Sequence, residues 1–79
     1  MKVYILENED CSGVFSTFEK ALASFYTCAT RCNFKDIYLS DIVFDDDLDI
    51  CSAEVHFKQW DGVERAVAIY TETLDYDNG

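Results

Sequence analysis

One stretch of the chain carries a helical repeat of apolar residues, and that stretch dictates how the rest must be arranged. Phe18, Leu22, Phe25, Ala29 and Cys32 follow one another at spacings of four, three, four and three, which places them on one face of an α-helix. Ser16-Thr17-Phe18-Glu19 fits a capping box. In that motif the Ser16 hydroxyl accepts from the Glu19 backbone N–H, and the Glu19 carboxylate reaches back to the N–H of Ser16. Asn33 suits the left-handed residue that ends a helix. These signals predict a helix over residues 17–32. A single amphipathic helix must bury its stripe against another layer, and the remaining sequence reads as β-strand.

Lys2 to Leu6 is a β-rich run that stops at the polar turn Glu7-Asn8-Glu9-Asp10. Gly13-Val14-Phe15 reads as its hairpin partner. Asp36 to Leu39 predicts a third strand, and Ser40 to Asp49 predicts a strand breaking into an acidic loop. Trp60-Asp61-Gly62-Val63 places Asp-Gly between two β-rich runs, the signature of a two-residue type I′ turn. Pairing outward from that turn sets Phe57 opposite Ala66, Val55 opposite Ala68 and Ala53 opposite Tyr70, on the face expected to meet the helix. Alternation sends Trp60, Val63, Val67 and Ile69 to the other face, with His56, Glu54, Lys58 and Arg65. The tail from Thr73 to Gly79 is acidic and is expected to fray. The expectation is a single α+β domain over residues 1–79, in the order ββαβββ, with an antiparallel sheet and one α-helix packed on one face.

Composition separates the classes of function. Hydrophobic residues make up 49% of the chain and aromatic residues 15%, far above what disordered acidic segments carry. Six Lys or Arg stand against sixteen Asp or Glu, a formal net charge of −10. Such a surface repels nucleic acid and anionic membrane and attracts basic surfaces. Met1 to Asp10 lacks the apolar run of a signal peptide, and no stretch reaches the length of a membrane span, so a cytosolic location is expected. Cys11, Cys28, Cys32 and Cys51 admit three readings: small apolar core residues, a disulfide, or a thiolate metal site. Because disulfides are rare in the cytosol and only one close pair exists, the expectation is core filler.

Catalysis finds little purchase. His56 is the only histidine, and strand alternation separates it from Cys51. No nucleophile elbow, phosphate loop, dinucleotide fingerprint or zinc-protease motif is present. Asp45-Asp46-Asp47-Leu48-Asp49 resembles a cation loop in density of carboxylates, but it lacks the glycine at the turn and the Glu at the twelfth position of an EF-hand. Neither an enzymatic activity nor a bound metal or cofactor is expected.

The acids themselves are the stronger signal. From Asp36 to Asp49 the chain has six carboxylates and no Lys or Arg. Glu7, Glu9 and Asp10 form a second cluster, and Glu72, Asp75 and Asp77 a third. Carboxylates held in a row on a rigid scaffold imitate the closely spaced phosphates of a duplex. Tyr38, Phe44, Tyr70 and Tyr76 stand near these clusters as candidate anchors. The segments Met1-Lys2-Val3-Tyr4-Ile5-Leu6 and Gly13-Val14-Phe15-Ser16-Thr17-Phe18-Glu19-Lys20-Ala21 resemble those of small phage and mobile-element proteins, in which a strand pair leads into a capped helix. Small size and acidity are likewise similar to phage anti-CRISPR proteins, several of which imitate DNA. That resemblance implies an inhibitor whose partner is a host protein or complex with a basic nucleic-acid-binding surface. It implies no direct contact with nucleic acid or membrane. The residues expected to carry binding are Asp41, Asp45, Asp46, Asp47 and Asp49, with Glu7, Glu9 and Asp10. The alternative is a general interaction module or homodimer using the exposed sheet face around Trp60.

Overall fold

The computed structural model describes residues 1–73. The elements run β1 (Lys2–Leu6), β2 (Gly13–Phe15), α1 (Phe18–Cys32), β3 (Lys35–Phe44), β4 (Ile50–Lys58) and β5 (Glu64–Thr73). The five strands form one antiparallel sheet in the order β2-β1-β5-β4-β3, with α1 packed on one face. The expected α+β architecture and element order are therefore present. β1 and β5 are interior neighbours in the sheet, so the first and last described strands are tied together by five register pairs, from Lys2 with Thr73 to Leu6 with Ile69. Thr73 thus belongs to a strand and does not fray; the remainder of the expected tail, including Asp75, Tyr76 and Asp77, lies outside the described residues.

Helix α1 forms where its stripe demands, but it is capped one residue later than the capping box implied. Thr17 has extended backbone (φ −138°, ψ 158°), and its hydroxyl accepts from the Lys20 N–H at 3.1 Å. Ser16 instead accepts from the Lys20 ammonium at 3.2 Å. Both residues are acceptable caps; the last residue with extended dihedrals takes the role, and here that is Thr17. Asn33 ends the helix in the left-handed region (φ 59°), as expected. Phe18, Ala21, Phe25, Cys28 and Ala29 are buried, while Leu22 and Cys32 sit at the edge of the core.

The core is built on aromatic contacts between helix and sheet. Phe57 on β4 is fully buried and stacks on Phe34 at 4.3 Å, with Phe25 at 5.4 Å. Tyr4 on β1 meets Phe18 edge to face at 6.2 Å. The Phe15 ring folds over Gly13 so closely that a Cβ there would come within 2.7 Å of it. A disulfide joins Cys11, in the β1–β2 connection, to Cys28 on α1. Cys11 and Cys28 are buried in the core as expected, but as a disulfide, which overturns the reading of all four cysteines as unbonded core filler; Cys32 and Cys51 are free thiols and only partly buried. Spacing rules look for close pairs in sequence, whereas this pair is 17 residues apart and meets only when the helix lies on the sheet.

The β4–β5 hairpin also differs from expectation, with a larger consequence. The loop is not the two-residue type I′ turn. Gly62 N–H donates to Gln59 O at 2.9 Å, Gln59 N–H donates to Val63 O at 3.2 Å, and Gly62 has φ 79°. This is a three-residue loop, a tight turn followed by a left-handed glycine. The extra residue shifts β5 by one, so Phe57 pairs with Arg65, Val55 with Val67 and Ala53 with Ile69. Because side chains alternate, a one-residue shift exchanges the faces of β5. Val67 and Ile69 enter the core, and Ala66 and Ala68 are exposed.

β3 is longer than expected, running to Phe44 before the acidic turn begins. It is an edge strand whose register on β4 is irregular at three places, two of them where Asp36 (φ 54°) and Asp41 (φ 49°) adopt left-handed backbone. Bulges of this kind blunt a long edge against pairing with another chain.

Candidate functional site

Beyond Ser40, β3 and β4 continue into a finger that carries both carboxylates and exposed apolar side chains. Ile42, Val43, Phe44 and Leu48 are all exposed, Leu48 by 80%. Flanking and separating them are the exposed acids Asp41, Asp46, Asp47 and Asp49. The turn from Asp45 to Asp49 is closed by the Asp45 side chain, whose Oδ1 accepts from the N–H groups of Asp47 at 2.9 Å and Asp49 at 3.0 Å. Aspartate stabilises turns through such bonds to backbone two residues on. Asp45 Oδ2 also accepts from Lys2 Nζ at 2.7 Å. That hydrogen bond holds the Asp45 carboxyl below the ordinary carboxylate value and raises the Lys2 ammonium. Asp45, one of the five finger acids expected to bind, is therefore engaged in holding the turn and docking it on β1. The other four form no ion pair among the described residues.

The second expected cluster does not join the first. Glu7, Glu9 and Asp10 follow the C-terminal end of β1, whereas Lys2 and the finger meet at its N-terminal end. Five residues of strand at about 3.3 Å each separate the two groups. Glu7 accepts from the Tyr70 hydroxyl at 3.3 Å, and the phenol is raised by its partial burial and by the Glu7 charge. Asp10 adjoins the disulfide. Of the third cluster, Glu72 lies on β5 opposite Val3, and its companions are outside the described residues.

The open face of the sheet brings together a group that strand alternation alone did not show. His56 Nε2 lies 2.7 Å from Ser40 Oγ and 3.3 Å from Glu54 Oε2, and Nδ1 lies 3.5 Å from Glu64 Oε1. The Tyr38 ring stacks on the imidazole at 4.7 Å, and its hydroxyl donates to Glu64 at 2.9 Å, which raises the phenol. A serine within reach of a histidine is the contact made by a nucleophile and its base. Here Glu54 competes for the same nitrogen, and the bonds join β3, β4 and β5. The group works as a polar clasp holding the edge strand. Glu54 and His56 were visible as neighbours two apart; Tyr38 and Ser40 enter only through the register of β3 on β4.

The apolar patch expected around Trp60 does not exist as drawn. Trp60 is 86% exposed and Val63 47%, but Val67 and Ile69 are buried. No group of three or more His, Cys, Asp or Glu among the described residues is placed to hold a metal ion, and no helix among them is long and apolar enough to cross a membrane. No family model, curated protein or solved structure matches the chain.

Proposed function

We propose that this chain is an inhibitory binding protein that docks its β3–β4 finger onto a basic, nucleic-acid-binding surface of a host protein. The observation that carries the reading is the interleaving of exposed apolar and acidic residues on the finger: Asp41, Ile42, Phe44, Asp46, Asp47, Leu48 and Asp49. Carboxylates select a positive surface and steer approach to it, while apolar side chains supply the buried contact area that holds the complex. A surface of pure solubility has no use for Phe44 and Leu48 at its tip. The second acidic cluster, at the far end of β1, is then a separate contact or a solvated loop.

The resemblance to DNA-imitating anti-CRISPR proteins makes a CRISPR effector complex the first target to try, in the cytosol of a host cell. In that reducing compartment the Cys11 and Cys28 thiols tend to the reduced form. Their link is remote from the finger, so binding does not depend on it. The test is displacement of a labelled duplex from a purified effector. Wild-type protein should compete, and raising salt should weaken competition because exposed charges are screened beyond about 8–10 Å. The triple variant Asp46→Lys, Asp47→Lys, Asp49→Lys should lose competition while keeping the fold. Equal competition by that variant removes the finger from the proposal.

A further inference from the structure

At the end of the sheet away from the finger, the few basic residues of this acidic chain are arranged against the general trend. Lys35 opens β3 and Lys58 closes β4, and the two are direct register partners across the strands. Like charges directly opposite one another in a sheet are unfavourable. Among the described residues one carboxylate contacts them, Asp36, with Oδ2 3.6 Å from Lys58 Nζ. Beside them the Gln59–Gly62 turn projects Trp60, the only tryptophan of the chain, 86% exposed. Asn33, the left-handed cap of α1, completes the wall of a cleft of about 370 Å³ lined by these residues. Clefts that take small ligands begin at roughly 300 Å³ and pair an aromatic wall with a few polar groups.

We propose that this cleft binds a small planar aromatic anion of the nucleoside monophosphate class. The ring would stack on the Trp60 indole, and the phosphate would lie between the Lys35 and Lys58 ammonium groups. Each half of the site answers to a different part of such a ligand. An exposed indole gains from stacking on a base, which offers a π-face of matching size. Lys35 and Lys58 are register partners that both line the cleft, so a phosphate there would meet two positive charges, in competition with Asp36 for Lys58. Asn33 adds an amide able to bond a ring edge or hydroxyl. A free mononucleotide is favoured over a nucleic-acid strand, because a chain with net charge −10 repels a polyanion that extends beyond the cleft.

Because Trp60 is the sole tryptophan, its fluorescence reports directly on the site. Titration of the full chain with adenosine monophosphate should give saturable quenching with an apparent Kd at or below about 1 mM. Adenosine alone and inorganic phosphate alone should each bind about tenfold more weakly or worse, since each fills half the site. Lys35→Gln and Lys58→Gln, both exposed substitutions that leave the core untouched, should each raise the apparent Kd by about tenfold. Trp60→Ala, followed by calorimetry, should abolish detectable binding. Absence of saturable quenching, or Gln variants that bind as wild type, overturns the proposal. Tighter binding of a single-stranded oligonucleotide than of the monophosphate overturns the choice of a free nucleotide. The cleft and the finger lie at opposite ends of β4, so either reading stands or falls without the other.

Discussion

Phe57 and Phe44 are aromatic residues on neighbouring strands of the same sheet, and they have opposite surroundings. Phe57 is fully buried between Phe25 and Phe34; Phe44 is 56% exposed on the finger. The difference follows from length. A helix of 15 residues is about 22 Å long, whereas a strand of 10 residues extends about 33 Å. One helix therefore cannot roof the whole of β3 and β4, and whatever stands beyond its reach is left to solvent or to a partner. The roofed half is also the stapled half, closed by Cys11–Cys28; the finger is tied back to the sheet by Lys2 and Asp45. Apolar residues in the first half supply stability, and apolar residues in the second are free to supply contact.

The contrast is broken most directly by truncating the two phenylalanines. Phe57→Ala should cost about 3–5 kcal/mol in denaturant unfolding, as large-to-small changes in cores do. Phe44→Ala should stay within about 1 kcal/mol and weaken partner binding instead. Equal losses of stability would mean that the finger is part of the core after all. Opening the disulfide should come next. Reduced protein, or Cys11→Ala with Cys28→Ala, should lose about 2–4 kcal/mol through the longer-ranging unfolded chain, with no change in displacement of DNA by the finger. A smaller effect sharpens the helix end: Thr17→Ala should cost about 1 kcal/mol and Ser16→Ala a few tenths, whereas a capping box at Ser16 would reverse that order.

The smallest effect lies at the finger's own tether. The Asp45 carboxyl is held below its ordinary value, so its contribution to the folded state is full above that value and is lost as pH falls through the depressed one. Carboxyl chemical shifts should show Asp45 titrating below the ordinary aspartate value, and Lys2→Ala should bring it back toward that value. Titration of Asp45 at the ordinary aspartate value in the wild type would show that Lys2 does not hold the turn.

Local signals carried much of this fold. The stripe from Phe18 to Cys32, the left-handed Asn33 and the short runs Lys2–Leu6 and Gly13–Phe15 depend on residues near one another in sequence, and all are where they were expected. The hairpin register was not legible, because Trp60-Asp61-Gly62-Val63 satisfies both a two-residue and a three-residue loop. The two differ by one residue, and what separates them is whether Val67 and Ile69 or Ala66 and Ala68 fill the space under α1. The larger side chains bury more apolar surface, so the core selects the loop. The candidate site divides the same way. The density of acids on the finger was legible, but the engagement of Asp45 by Lys2, 43 residues away, was not.

The amino-acid sequence by itself determined the helix, the order of elements along the chain and the strongly acidic charge, since each follows from local periodicity or from simple counting. Only the tertiary structure decided that Cys11 meets Cys28, that Val67 and Ile69 face inward, and that the acids divide between the two ends of β1. Those outcomes rest on contacts between segments distant in sequence, where the competition is over which side chains can share the volume beneath one helix.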